Sequence, residues 1–166
     1  MSSKAGEIPI PPKGTKGGSM PGGRLLQKLG AGWMKRQVSK HQAATTAEQG
    51  KFMGFPVLVL TTVGARSGNE HSHIVGGFPD GEDAWLVIAS KSGASTHPHW
   101  FFNIAKNPDK VWAQVGNRRF HAHVESLQGA ARDAAYARVV AVAKNYGPYQ
   151  TKTDREIPVL RLTPAE

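Results

Sequence analysis

The stretch WLVIASKSGASTHPHWFFNIAKNP, residues 85–108, decides how the chain divides into elements. Trp85 to Ala89 is a compact apolar run, short enough for a buried strand. It ends in Ser90, Lys91, Ser92 and Gly93, and His97-Pro98 leads into the aromatic run His99-Trp100-Phe101-Phe102. Proline's fixed φ suits a first helical turn, so a short helix is predicted to begin near Pro98, with Asn107-Pro108 closing it as a turn. A strand therefore empties into a polar, cationic loop beside a helix start. Such a loop can hold an anion through its NH groups, with Lys91 and the hydroxyls of Ser90 and Ser92 adding charge and direct bonds. An ordinary strand-to-helix turn bearing a solvated lysine has the same pattern, and these residues alone leave both readings open.

Upstream, FPVLVLTT at residues 55–62 is rich in β-branched and apolar residues and reads as a strand with Pro56 near its start. The turn after it is Val63-Gly64-Ala65-Arg66-Ser67-Gly68-Asn69-Glu70. Arg66 offers a fork of donors suited to phosphate or carboxylate, and Ser67 adds a hydroxyl. The spacing matches neither GxxxxGK[ST] nor GxGxxG, and a plain hairpin turn with an exposed arginine fits equally. His71 to Phe78 reads as the next strand, with Phe78-Pro79-Asp80-Gly81 turning the chain back to Trp85 in an antiparallel hairpin. If the strands before the Arg66 and Lys91 loops are neighbours, the two loops make one cationic pocket.

Downstream, Lys110–Val115 and Arg119–Val124 flank Gly116-Asn117 as a second hairpin. Residues 129–146 have the alanine content and periodicity of a helix that runs out at Tyr146-Gly147-Pro148, and Ile157 to Leu162 forms the last strand. About six strands with two or three helices, and no regular βαβ alternation, predict a mainly β chain with peripheral helices (α+β): a small, largely antiparallel barrel. At the N-terminus, residues 1–23 are glycine- and proline-rich with Lys4, Lys13 and Lys16; they read as a flexible basic arm, dispensable for ligand binding. Residues 24–49 read as an amphipathic helix and link. Leu25, Leu26, Leu29, Trp33, Met34 and Val38 share one face of that helix, among Lys28, Lys35, Arg36 and Lys40. The helix either packs on the domain or lies on an acidic membrane surface. Residues 50–166 form the main domain.

A chain of 166 residues suits one domain. It contains no cysteine, which removes disulfides, thiolate chemistry and cysteine-bound metals and makes the cytoplasm the default setting, at the inner membrane face if the basic helix binds lipid. No apolar run approaches the roughly 20 residues of a spanning helix. A formal charge of +9, from 21 Lys and Arg against 12 Asp and Glu, favours anionic partners without choosing among them. Three His-x-His pairs, at residues 71 and 73, 97 and 99, and 121 and 123, have metal-ligand chemistry, but no carboxylate is fixed beside them, and no native metal site is expected. The basic arm and aromatics permit nucleic-acid contact, yet no zinc-finger spacing, continuous basic helix or RNA-binding aromatic signature accompanies them, and none is expected.

Taken in order, PVLVLTTVGARSG at 56–68, ASKSGASTHPHWFFNIAKNP at 89–108, Tyr146 with Tyr149-Gln150, and TDREIPVLRL at 153–162 resemble the deazaflavin-dependent nitroreductase family, the actinobacterial split-barrel reductases that use coenzyme F420. The resemblance covers about residues 50–164. It implies a split β-barrel holding reduced F420, whose deazaflavin ring is joined to a phosphodiester and an oligoglutamate tail. It implies cofactor contacts at Thr61, Thr62, Gly64, Arg66, Ser67 and Gly68, at Ser90, Lys91, Ser92 and Gly93, and at Pro98 and Trp100. Tyr146 falls where the family carries a tyrosine that helps activate the substrate, and Tyr149 is implied as a pocket neighbour. Ala143 stands near where some members carry a further aromatic, implying a more open pocket. The implied reaction is hydride transfer from reduced F420 to a small hydrophobic electrophile such as a quinone, an unsaturated lactone or a nitro compound. The competing expectation is a split-barrel oxidoreductase that binds FMN.

Overall fold

Phe55–Val63 (β2) is buried from Val57 onward on both faces, which is why its sequence is a continuous apolar run rather than an alternation. One edge pairs antiparallel with β3, Glu70–Gly76, and β6, Val111–Val115, also pairs with it antiparallel, so that Thr61 lies opposite both Ser72 and Trp112. β6 continues through the Gly116-Asn117 turn into β7, Arg118–Leu127, and both strands alternate buried with more exposed residues, as expected where one face meets the core. The sheet then runs through β8, Val159–Pro164, to β5, Trp85–Ile88, and ends at β4, Phe78–Pro79. A two-residue strand, β1 (Lys51–Phe52), pairs with the start of β2. Every pairing is antiparallel. The sheet curls into a half-barrel with helices at its periphery, a split β-barrel. The computed structural model describes residues 6–18 and 24–165, and side chains only from Lys28 onward in the first helix.

Two apolar clusters hold this arrangement. One fills the barrel with Leu58, Leu60, Val87, Phe101, Ile104 and Leu160, all at most 2% exposed. Each such side chain contributes about 1.5–3 kcal/mol through burial. Phe101 and Ile104 come from α2, His99–Lys106, which follows Pro98 at the expected place. The second cluster lies under α3, Gly129–Val142, and joins Val139 and Tyr136 to Leu86, Ile88, Ile157 and Val159.

Three expectations meet a different structure, and one open choice has a partial answer. The strand expected over residues 71–78 is broken at Gly77, whose NH bonds the Pro56 carbonyl at 3.0 Å. Its first part pairs with β2, and only Phe78-Pro79 forms the hairpin with β5. The long helix stops at Val142; a 3-10 turn covers Lys144–Tyr146, and Gly147–Lys152 is a separate short helix, α4. Pro148 thus helps start a helix, because its missing NH costs nothing in a first turn. α1, Arg24–Gln42, packs on β2 and β3, one of the two settings expected for it, while Leu29 and Trp33 stay exposed. Of the expected flexible arm, residues 1–5 and 19–23 lie outside the described residues. Residues 6–18 lie against the domain, with Ile8 only 5% exposed in the barrel cluster. No helix among the described residues is long and apolar enough to cross a membrane.

Candidate functional site

β5 ends where the chain must leave the sheet, and the loop that follows takes an uncommon path. Lys91 (φ 44°), Ser92 (φ 54°) and Gly93 (φ 79°) are all left-handed. For Lys91 and Ser92 that conformation costs about 1–3 kcal/mol each, so the surroundings must hold it. Gly93 is required: a Cβ there would come within 2.8 Å of the Tyr149 carbonyl oxygen. Lys91 and Ser92 are exposed, and Lys91 Nζ donates to Thr96 Oγ1 at 3.0 Å.

Arg155 holds the loop from inside. It is 2% exposed, and its guanidinium donates to Ala94 O (2.7 Å), Ser90 O (2.8 Å) and twice to Ala89 O (3.2 Å each). The His97 ring joins this clamp: its Nδ1 accepts from Arg155 at 3.0 Å while its Nε2–H donates to Pro11 O at 2.7 Å. That pattern defines a neutral imidazole, and burial followed by the Arg155 charge keeps its pKa below the ordinary value against the opposing pull of the Pro11 bond. From outside, Gly14 N bonds Ser95 O at 2.8 Å and Gly18 N bonds Gly93 O at 2.9 Å. Asp154 anchors the same N-terminal segment through Thr15 N (2.8 Å), Lys16 N (3.2 Å) and the Thr15 hydroxyl.

The loop borders a cavity of about 360 Å³. Ser90, Lys91 and Ser92 form its polar side, Pro98 and Trp100 come from the start of α2, and Trp33 and Met34 come from α1. Tyr146 and Tyr149 complete it, their rings 5.3 Å apart. Tyr146 also meets Phe55 and Phe78 edge-on at 5.9 and 5.4 Å, and the Tyr136 hydroxyl donates to its backbone carbonyl. Gly76 is required beside it, because a Cβ would collide with the Tyr146 hydroxyl. Burial pushes the Tyr146 phenol well above the usual tyrosine range, with Tyr149 and Tyr136 adding to the effect. Tyr146 is therefore a protonated hydrogen-bond donor throughout the physiological pH range.

A second cavity, of about 750 Å³, lies at the β2–β3 turn. Gly64, Arg66 and Ser67 line it together with His71, His73 and His99. Asn103 braces the turn from α2, accepting from Ala65 N at 3.0 Å and donating to Thr62 Oγ1 at 3.1 Å. His73 and Ile74, consecutive on β3, border the second and the first cavity respectively, as do His99 and Pro98.

The expected single cationic pocket is instead two separate cavities, because β2 and β5 are not neighbours; β6, β7 and β8 separate them. Ser90, Lys91, Ser92, Pro98, Trp100, Tyr146 and Tyr149 border the first, and Gly64, Arg66 and Ser67 the second. Thr61 and Thr62 are buried in β2 and border neither; Thr61 pairs with the Ser72 hydroxyl at 2.8 Å. Gly68 (φ 72°) shapes its turn, and Gly93 is buried behind its loop. Sequence reasoning overlooked Arg155, the cavity side chains of α1 and the gathering of histidines. The only sequence signals were an arginine inside the apolar C-terminal motif and the unexplained His-x-His pairs.

The family model for F420H(2)-dependent quinone reductase matches residues 33–164. An F420H(2)-dependent quinone reductase of Mycobacterium tuberculosis (strain ATCC 25618 / H37Rv) is 37% identical over 113 residues, covering 65% of this chain and 73% of that one. Among solved structures, an F420-H2 dependent reductase, FDR-A, matches with a TM-score of 0.58 and 33% identity over 64% of this chain and 93% of its own. A chain described as a domain-swapped dimer matches with a TM-score of 0.61 and 29% identity, over 80% of this chain and 98% of its own.

Proposed function

This chain belongs to the F420H(2)-dependent quinone reductase family, and on that premise we propose that its two cavities together hold reduced F420 and a quinone-like acceptor. The protein is an F420-dependent oxidoreductase that acts on small electrophiles by hydride transfer. The observation that carries the site assignment is the division of labour between the cavities: one is aromatic and apolar around Tyr146, the other cationic around Arg66.

The residues suit the cofactor. A phosphodiester and carboxylates need donors, and Arg66, Ser67, Lys91 and the hydroxyls of Ser90 and Ser92 supply them. His73 Nδ1, buried without a hydrogen-bond partner, is a further polar atom that a ligand can satisfy. Trp100, Pro98 and Tyr149 give a flat ring and an apolar acceptor surfaces to pack on. Thr61, Thr62, Gly68 and Gly93 act behind these contacts, by fixing the two loops.

When bound, reduced F420 supplies the hydride. Tyr146 donates a hydrogen bond to the acceptor oxygen on which negative charge develops, and its raised pKa keeps that proton in place until it is needed. The aromatic neighbours of Tyr146 orient its ring. Arg155 keeps the strained Lys91 loop in its binding conformation and so removes an ordering cost from ligand binding.

A side-by-side calorimetric titration with F420 and FMN tests this reading. F420 is expected to bind more tightly than FMN. Tight FMN binding with no F420 heat would reject it.

A further inference from the structure

The histidines of the second cavity come from two elements: His71 and His73 lie two residues apart on β3, and His99 opens α2. The fold brings them around one space with Arg66. No carboxylate lines that space; Glu70, the acid next to His71 in sequence, is not among its lining residues. The other four histidines do not line it: His97 is in the Arg155 clamp, His121 bonds the Asp109 carbonyl, and His41 and His123 lie on α1 and β7. Nor is the cluster arranged as a metal site, since among the described residues no three His, Asp or Glu side chains converge as ligands.

We propose that His71, His73 and His99 make the cavity a proton-linked anion site, which takes up protons as the phosphodiester and carboxylates of the cofactor enter beside Arg66. This rests on the F420 reading above and deepens it. Three observations support it. His73 Nδ1 is buried and unpartnered, so it has an unused bonding position. In the free protein burial lowers the His73 pKa, and His71 and His99 lower it further, which favours the neutral His73 ring near pH 7. An anion placed among these rings opposes both influences: its charge favours the protonated His73 ring and offsets the repulsion from its neighbours. The sign follows. The complex binds more protons than the free protein, so affinity rises as pH falls between the bound and free pKa values.

The test is F420 titration into the full chain from pH 8 to pH 6, in buffers of different ionisation enthalpy, with a His71→Asn, His73→Asn, His99→Asn triple variant beside it. The parent should take up about one proton on binding and gain about tenfold in affinity over that range relative to the variant, the linkage expected for one group changing state. The ring's own titration is common to both proteins and cancels. The deazaflavin riboside, which lacks phosphate and glutamate, should show no such difference. F420 binding with the same pH slope in parent and variant would overturn the proton linkage while leaving the F420 assignment standing. Absence of F420 binding at every pH would overturn both. If the triple variant does not fold, His71→Asn and His99→Asn, both at exposed positions, should each reduce the slope, and an unchanged slope in both would likewise overturn it.

Discussion

Tyr146 carries the most specific chemical claim at the scale of single residues. Its hydroxyl faces a cavity, its ring is gripped by Phe55, Phe78 and Tyr149, and its backbone is tied by Tyr136. Tyr146→Phe keeps that packing and removes one donor. F420 affinity should change little, whereas single-turnover transfer from preformed reduced F420 to a saturating quinone should slow by about 10- to 1000-fold, the range for one hydrogen-bond or proton donor. The upward pKa shift adds a pH signature. Ionisation removes the donor, and the folded protein postpones ionisation beyond the ordinary value of 10.0, so the parent's transfer rate should show no fall assignable to Tyr146 up to that pH. An unchanged rate in a folded Phe variant would remove Tyr146 from the chemistry. Arg155 contrasts with it: fully buried and bonded to carbonyls, it positions the loop without meeting a ligand.

Among elements, the N-terminal segment and the Lys91 loop have to be understood together. Glycine and proline content made residues 6–18 read as loose, yet Pro11, Gly14 and Gly18 each bond the loop or its His97. Gly14 and Gly17 lie so close to their neighbours that a Cβ would clash with Asp154 and with the backbone at Ala94-Ser95, respectively. The small residues therefore serve close approach as well as flexibility, and composition cannot distinguish the two. Deleting residues through Gly18 should weaken F420 binding by about 3- to 30-fold, the equivalent of losing a modest amount of loop preorganisation. Full affinity in the truncated, folded protein would show that Arg155 alone suffices. Asp154 anchors the segment with a carboxyl held at about 2 by the Thr15 hydroxyl and the Lys16 and Thr15 NH groups. Because that pKa is depressed below the ordinary 3.8, docking gains from it above the ordinary value and loses that gain as pH falls towards about 2. Local elements were otherwise legible from the chain: the Pro98 helix start, the strands at residues 55–63 and 85–88, and the Gly116-Asn117 hairpin all follow from periodicity and turn chemistry. The end of α3 was less so, because Ala143 to Pro148 has helical composition on one side of a proline and a new first turn on the other.

For the whole molecule, pairing order decides what the sequence leaves open. β2 and β5 are both apolar strands followed by cationic loops, and nothing local says that β6, β7 and β8 lie between them. That order, with α2 between the loops, divides the one expected pocket into an aromatic cavity bordered by Pro98 and a cationic cavity bordered by His99. It also gathers His71, His73 and His99, from two of the His-x-His pairs, around one cavity with Arg66. The arrangement matches the work of a reductase that must hold a long anionic cofactor and a small apolar acceptor at once. The most direct measurement is the oxidation of stoichiometric reduced F420 by a quinone, followed optically with and without the full-length protein. Catalysed consumption of reduced F420, matched mole for mole by quinone reduction and absent when reduced FMN replaces it, is the predicted result. Protein that binds F420 but leaves the uncatalysed rate unchanged across quinones, enones and nitro acceptors would contradict the account.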